Sequence, residues 1–337
     1  MKLFPTFMFG HKRALVAEIL ELVPPSARTM AEPLSGTGVV SWHAKRAGLR
    51  VVGNDIRRFA HHQFKVLVAN NDTILTEEDL ALLTQPIKVA EPWIERLFVG
   101  TYGIHNARFL DQWVANIPSL ENEAKRDVAA WLPVFCSMRR IKYYAARLSK
   151  EGIVAGSERL VQTDLEQDMI ISAREILPQL VFDNGHSHQA YNEDVLNLIG
   201  RIEADVAFID TPYCCRGGDY ERDLAFYDDL IRICLGRADE VKDVWDGDCD
   251  LPPYTNFASR RSAVTGLGQL FLRASHIPTM LVSYNTSSEI SIGEIQNLAV
   301  ATGWKLTAER KVLRPLPTNT KRATLEAYEV LLRLERA

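Results

Sequence analysis

A chain of 337 residues, 47% of them hydrophobic, can bury one large core or two modest ones. Its formal net charge of −4 argues against a protein that coats nucleic acid over its whole surface, without excluding a local basic face. The N-terminus lacks the features of a signal peptide and no apolar run can span a bilayer, so we expect a cytoplasmic protein without membrane contact. Five cysteines without a CxxC pairing favour reduced thiols over a disulfide framework or a zinc site.

The first part of the chain alternates between helix and strand patterns. Apolar residues at helical spacing predict a helix over residues 11–23, and a strand is predicted over 29–34. A glycine-containing turn, a helix and a second strand over 49–54 follow. This order predicts the start of a parallel, doubly wound sheet.

Residues 70–182 have a different pattern, mostly helical and without β-α alternation, which predicts an inserted helical lobe. Alternation resumes after it, with predicted strands at 189–192, 204–209, 279–283, 305–313 and 325–334. We therefore expect residues 1–69 and 183–337 to form one three-layer α/β domain. Its sheet is predicted to be mainly parallel, with an antiparallel last strand.

The turn after the first strand reads Glu32-Pro33-Leu34-Ser35-Gly36-Thr37-Gly38. Its two glycines let the backbone come close to a ligand at a helix N-terminus. A nicotinamide enzyme would need a third glycine where Ser41 stands, and Glu32 would repel a pyrophosphate. Glu32 suits a ligand with a positive amino group, and Asp55 is well placed for ribose hydroxyls. A plain strand-to-helix turn explains the glycines alone equally well.

Asp194 follows the predicted strand 189–192. Its carboxylate suits an adenine amine, but Asp is also a preferred helix N-cap, and both interpretations stay open. The histidine pairs His61-His62 and His186/His188 have no acidic or thiol partners at ligand spacing, so no metal is predicted.

The sharpest motif is Asp210-Thr211-Pro212-Tyr213, directly after the apolar run 204–209. An exocyclic base amine is a poor nucleophile because its lone pair is delocalised into the ring. Two acceptors, the Asp210 carboxylate and the backbone carbonyl of Thr211 or Pro212, can localise that lone pair. Pro212 stiffens the turn, and Tyr213 offers an aromatic face to a flipped base. The alternative is an Asp-initiated turn after a strand.

A basic stretch covers residues 138–150 and contains Arg139, Arg140, Lys142 and Tyr143. Basic groups beside an aromatic ring favour phosphate contact and base stacking, although solvated helix faces are often this basic. A second basic stretch at 305–322 carries the same ambiguity.

The order of these motifs resembles that of the alpha-class (Dam-like) adenine-specific DNA methyltransferases. The matching pieces are Phe9-Gly10-His11-Lys12, Glu32 to Gly38, Asp210 to Tyr213, and Ser283-Tyr284. They resemble the family's N-terminal cofactor element, its glycine motif, its Asp-Pro-Pro-Tyr tetrapeptide and its Ser-Tyr element. His11, Leu34 and Thr211 depart from the family's usual residues.

The resemblance implies a Rossmann-like fold that transfers a methyl group from S-adenosylmethionine to adenine N6 in double-stranded DNA. It also implies a restriction-modification or related system with a possible cognate restriction endonuclease. The implied cofactor contacts are Phe9, Gly10, Lys12, Glu32, Leu34, Ser35, Gly36, Gly38, Asp55 and Asp194. The implied catalytic residues are Asp210, Thr211, Pro212 and Tyr213. The resemblance also implies that Tyr284 contacts the target base and that residues 70–182 recognise the target sequence.

Two kinds of alternative remain. Adenine methylation of ribosomal RNA and cytosine N4 methylation of DNA use the same tetrapeptide. The long helical lobe favours a duplex DNA substrate over ribosomal RNA, and the motif leaves adenine versus cytosine open. A non-catalytic DNA-binding protein, in which Thr211 disables the loop, is the alternative from another class.

Overall fold

The computed structural model describes residues 12–140, 158–212, 220–241, 257, 259–286, 288–314 and 327–336. The chain forms two compact units. The sheet unit comprises the described parts of Lys12–Ile56, His186–Gly218 and Leu251–Ala337. The helical unit comprises the described parts of Arg57–Gly185 and Asp219–Asp250.

The sheet unit is built on seven described strands in the order β3-β2-β1-β4-β5-β7-β6. Their bounds are β1 Thr29–Glu32, β2 Arg50–Asn54, β3 Gln189–Tyr191, β4 Val206–Ile209, β5 Thr279–Asn285, β6 Trp304–Arg314 and β7 Ala327–Arg336. The first five strands pair in parallel, and β7 runs antiparallel to both β5 and β6. The predicted fold class, a mainly parallel sheet with an antiparallel last strand, is confirmed.

Helices cover the sheet, whose central strand β4 is buried along its whole length and whose strand β1 is buried except at Thr29. The helices of the sheet unit are α1 Val16–Glu21, α2 Val39–Arg46, α10 Val195–Leu198, α12 Arg260–Arg273 and α13 Ile292–Ala301. The apolar faces of α10, α12 and α13 form one core with the sheet. Trp304 packs into this core, and its indole N–H donates to the Phe271 carbonyl at 3.0 Å. α12 begins at Arg260, and Ser259 caps it by accepting from the Ser262 N–H.

The helical unit contains the described parts of residues 70–182, for which a helical lobe is predicted, and also helices outside that range. Its helices are α3 Arg58–Phe64, α4 Glu77–Leu83, α5 Trp93–Asn116, α6 Glu123–Arg140, α7 Glu158–Val161, α8 Leu165–Ile171, α9 Leu177–Leu180 and α11 Tyr220–Cys234. Sequence analysis did not predict α11. A buried ion pair holds it to the start of α3, with 2.9 Å between Arg57 Nη1 and Asp228 Oδ2. Asp228 also accepts from the Phe59 N–H at 3.1 Å.

Polar side chains fasten the long helices of this unit to one another. The Trp113 indole N–H in α5 donates to the Ala129 carbonyl in α6 at 3.0 Å. Tyr102 and Ser137 join the same two helices through hydroxyls 2.8 Å apart. Among the helices that the structure describes, none is long and apolar enough to cross a membrane.

Candidate active site

The predicted site residues of the sheet unit gather at the carboxyl edge of its parallel strands. Glu32 is the last residue of β1, Asn54 is the last of β2, and Asp210 directly follows β4. Open α/β sheets bind their ligands at this edge, where the loops leave the strands. The parallel pairing of β1 with both β2 and β4 therefore brings together groups that are far apart in the chain.

The glycine turn is shaped by two left-handed residues. Gly36 has φ 50° and Gly38 has φ 70°, a region that side-chain-bearing residues rarely enter, and Gly38 caps the N-terminus of α2. The Gly36 N–H donates to Asp55 Oδ2 at 2.7 Å, and the Ser35 N–H donates to the Asn54 carbonyl at 2.8 Å. The end of β2 therefore holds the turn in place.

Glu32 is buried at the centre of the edge. Oε2 accepts the Ser41 backbone N–H at 2.8 Å and also the Ser41 hydroxyl. Burial raises the pKa of Glu32 to about 8, against the lowering effect of these hydrogen bonds, and the charges of Asp210 and Asp55 add to the rise. A buried carboxyl group in this state favours a cationic partner, because such a partner would stabilise its charged form.

The loop after β3 is joined to the end of β2 through the Asn54 amide. Asn54 Nδ2 donates to the carbonyls of Pro33 and Glu193, and Oδ1 accepts the Glu193 N–H. Asp194 caps α10 by accepting the Leu196 N–H at 2.7 Å. The structure thus gives Asp194 the N-cap role that the sequence left open, and its predicted adenine contact stays a prediction.

Asp210 meets Lys12 at this edge. Lys12 Nζ lies 2.8 Å from Asp210 Oδ1 and 3.2 Å from Glu329 Oε1. The Lys12 and Glu329 side chains are 3% and 0% exposed, whereas that of Asp210 is 20% exposed. Asp210 is therefore the member of this group that a ligand can reach. Thr211 beside it is buried and Pro212 is half-buried.

Sequence analysis missed Glu329, which lies on β7. Its Oε1 accepts the Ser283 hydroxyl at 2.8 Å. The available signal was a single acid inside the apolar run Tyr328-Glu329-Val330-Leu331-Leu332. Because β7 runs antiparallel to β5, its first residues lie at the carboxyl edge of the parallel strands.

Two further predicted residues lie at the core of the sheet unit. Tyr284 on β5 is fully buried among the core residues, opposite Val330. Leu34 is half-buried and packs against the same core. Both side chains thus contribute to packing, and their predicted contacts with base and cofactor stay predictions.

Arg139 and Arg140 lie in the helical unit, at the end of α6. Arg140 forms a two-pronged ion pair with Asp168, in which Nη2 lies 2.6 Å from Oδ1 and Nε lies 3.2 Å from Oδ2. Arg139 lies 5.3 Å from the centre of the Phe135 ring and donates to Ser172 Oγ at 3.2 Å. Both guanidinium groups thus stabilise the fold of their own unit, and their predicted DNA contacts stay predictions.

Several predicted site residues lie outside the described residues: Phe9, Gly10, Lys142, Tyr143 and Tyr213. Within the described part of the chain, no three His, Cys, Asp or Glu side chains are grouped as metal ligands would be. His62 Nε2 lies 2.8 Å from the Asp127 carbonyl, which gives this ring a structural partner.

The comparisons with known proteins point to one family. Residues 9–88 match the profile of the D12 class N6 adenine-specific DNA methyltransferases. The match spans the glycine turn, Glu32, Asp55 and Lys12, but ends before the tetrapeptide.

Relatives with curated names extend the similarity to most of the chain. Type II methyltransferase M2.HphI of Haemophilus parahaemolyticus is 28% identical over 316 residues, which cover 88% of each chain. Type II methyltransferase M.NlaIII of Neisseria lactamica is 20% identical, covering 81% of this chain and 79% of that protein. Modification methylase StsI of Streptococcus sanguinis is 22% identical over 86% of this chain, which corresponds to 45% of that larger protein.

Proposed function

We propose that the sheet edge transfers a methyl group from S-adenosylmethionine to adenine N6 in double-stranded DNA, as the similarity to adenine-specific DNA methyltransferases implies. The family and the enzyme class predicted from the motifs are confirmed. The residues that carry the reaction and the identity of the methyl donor are part of the proposal. The observation that carries it is the convergence of Asp210 and Glu32 at one sheet edge, where burial raises the pKa of Glu32 and the charge of Asp210 adds to the rise.

The sheet edge suits S-adenosylmethionine, which would supply a methyl group on a positively charged sulfonium. Glu32 would accept the donor's amino group, because a buried carboxylate is stabilised by a cation. Gly36 and Gly38 bring the turn's backbone close to the ligand, since neither carries a side chain there. Asp55 would receive the ribose while it holds the turn through the Gly36 N–H.

Asp210 would accept an N–H of the target amine, and the backbone carbonyl of Thr211 or Pro212 would accept the other. These bonds localise the nitrogen lone pair for attack on the methyl carbon. The transfer would form a carbon–nitrogen bond on the target amine and break the carbon–sulfur bond of the donor, whose sulfur would keep the bonding electrons as a neutral thioether. The proton then lost by the amine leaves along its hydrogen bond to Asp210, which is partly exposed. Holding both reactants in line supplies much of the rate.

The helical unit would read the DNA sequence, as predicted for its residues 70–182. A base must leave the duplex to reach the sheet edge, at a cost of roughly a few kcal/mol, and Tyr213 would offset part of this by stacking. The names of the relatives favour a restriction-modification system with a cognate endonuclease. The expectation of a cytoplasmic protein follows from the same role and stays a prediction.

The direct test is incubation with labelled S-adenosylmethionine and, separately, duplex DNA and ribosomal RNA. The methylated nucleoside is then identified by mass spectrometry. N6-methyladenine found only in DNA supports the proposal. Methylcytosine in DNA would make cytosine the target base, and labelled RNA would make RNA the substrate. The absence of transfer to any substrate would favour a DNA-binding protein without methyltransferase activity.

The role of Asp210 is tested by Asp210→Asn, which keeps the shape of the side chain and removes its charge. We expect transfer to fall by about 100-fold or more, with cofactor affinity nearly unchanged. Asp239→Asn, at an exposed position of the helical unit, is the matched control. Transfer retained in Asp210→Asn would exclude Asp210 as the group that activates the amine.

A further inference from the structure

Glu329 is a fully buried carboxylate on a strand that no motif marks. The register pairs Ile209 of β4 with Val282 of β5, and Asn285 of β5 with Glu329 of β7. Ser283, between these two positions on β5, donates its hydroxyl to Glu329 at 2.8 Å. The antiparallel direction of β7 therefore brings Glu329 to the same sheet edge as Asp210, with β5 between their two strands.

A carboxylate taken out of water is unfavourable unless it is paired. Glu329 meets this requirement with the Ser283 hydroxyl and with Lys12, whose Nζ lies 3.2 Å from its Oε1. The same ammonium group lies 2.8 Å from Asp210 Oδ1. The buried Lys12 ammonium therefore contacts two carboxylates, of which Glu329 is fully buried and Asp210 is partly exposed to solvent.

The contact of Lys12 with both carboxylates affects the negative charge next to the proposed position of the target amine. A lysine paired with Asp210 alone would cancel its charge and weaken it as a hydrogen-bond acceptor. With Glu329 present, the same ammonium faces two carboxylates, so it offsets the charge of Asp210 less than it would in a pair with Asp210 alone. Methyl transfer develops positive charge on the amine nitrogen, which a net negative environment of low dielectric stabilises.

We propose that Glu329 is a positioning residue for methyl transfer, which holds Lys12 between itself and Asp210 and so preserves negative charge on Asp210. Glu329 acts through Lys12 and touches neither the base nor the cofactor. The inference rests on the proposed function, since it assigns Asp210 to the target amine. It extends the site to β7, on which Glu329 lies 46 residues after Ser283 in the chain.

The test compares Glu329→Gln with Glu329→Asp in single-turnover methylation, with cofactor affinity measured by calorimetry. Gln matches the size of Glu and lacks the charge, whereas Asp keeps the charge and is one methylene shorter. We expect Gln to lower the methylation rate by about tenfold or more and Asp to recover part of it, with cofactor affinity within about threefold of wild type. A side chain that only fills space would give the opposite order, because Gln is the better fit.

Glu335→Gln is the matched control, on the same strand but at the other end, opposite Thr279. Ser283→Ala is the second variant, which removes the hydrogen bond to Glu329 and no charge, and we expect a smaller loss of rate. If Glu329→Gln does not fold, Ser283→Ala decides, and a wild-type rate there overturns the proposal. A wild-type rate in Glu329→Gln, or Gln faster than Asp, also overturns it.

Asp210→Asn, measured in parallel, separates this proposal from the proposed function. An inactive Asp210→Asn beside a fully active Glu329→Gln overturns only the role of Glu329. An active Asp210→Asn overturns the assignment of Asp210, and the role of Glu329 with it.

Discussion

Ser41 donates both its backbone N–H and its side-chain hydroxyl to Oε2 of Glu32, which joins the first turn of α2 to the end of β1. This residue is the one that sequence analysis used only to argue against a nicotinamide site. In the structure it holds the acid that the cofactor is proposed to meet. Even with both hydrogen bonds, burial keeps the pKa of Glu32 at about 8.

Binding of S-adenosylmethionine should therefore tighten as the pH rises toward about 8, because the cofactor's cation stabilises the ionised form of Glu32. Below that pH, binding should release a proton. Calorimetry in buffers of different ionisation enthalpy measures both effects. Glu32→Gln should bind more weakly and lose the pH dependence, and equal affinities at pH about 6 and about 8 in the wild type would contradict this role.

The same group should make the stability of the cofactor-free protein depend on pH. The pKa of Glu32 is raised from 4.5 to about 8 on folding, so the folded state binds the proton more strongly than the unfolded chain. Its favourable contribution is present below 4.5 and is lost as the pH rises through about 8. Thermal melting across this range should show a decline in wild type that is reduced in Glu32→Gln. A decline of equal size in the variant would assign the effect to other groups.

Gly38→Ala should destabilise the protein by about 1 kcal/mol, since a Cβ is strained at its left-handed backbone. The φ of 70° at this position shapes the proposed cofactor turn, so we also expect weaker cofactor binding. Gly293→Ala is the control, because Gly293 lies in α13 with open space around it and without a positive φ. Denaturant unfolding and calorimetry measure the two effects. Equal stability of the two variants would show that the turn tolerates a side chain.

The helical unit should lose stability in acid through His62. Burial lowers the pKa of His62 from 6.5 to about 4, against the raising effect of Asp127. The unfolded chain therefore takes up the proton first, so stability is present above 6.5 and is lost as the pH falls through about 4. Melting of His62→Gln between about pH 7 and pH 4 should show a shallower decline than wild type. His105→Gln, on α5 at an exposed position, should leave the decline unchanged.

The amino-acid sequence alone determined the strand and helix pattern of the sheet unit and the position of its motifs. All seven strands were predicted within a few residues, because apolar periodicity and turn residues are local signals. The tetrapeptide after β4 and the glycine turn after β1 were found for the same reason. The described parts of residues 70–182 are mostly helical, as predicted, whereas α11 was missed because it stands apart from that stretch.

Only the tertiary structure decided which distant groups meet. The contact of Lys12 with Asp210, the hydrogen bond from Ser283 to Glu329, and the pairing of Arg57 with Asp228 each depend on strand order or helix packing. Sequence patterns report a residue's own burial and do not report its partner across a sheet. The raised pKa of Glu32 has the same origin, since it comes from burial and from the acids Asp210 and Asp55, which follow other strands.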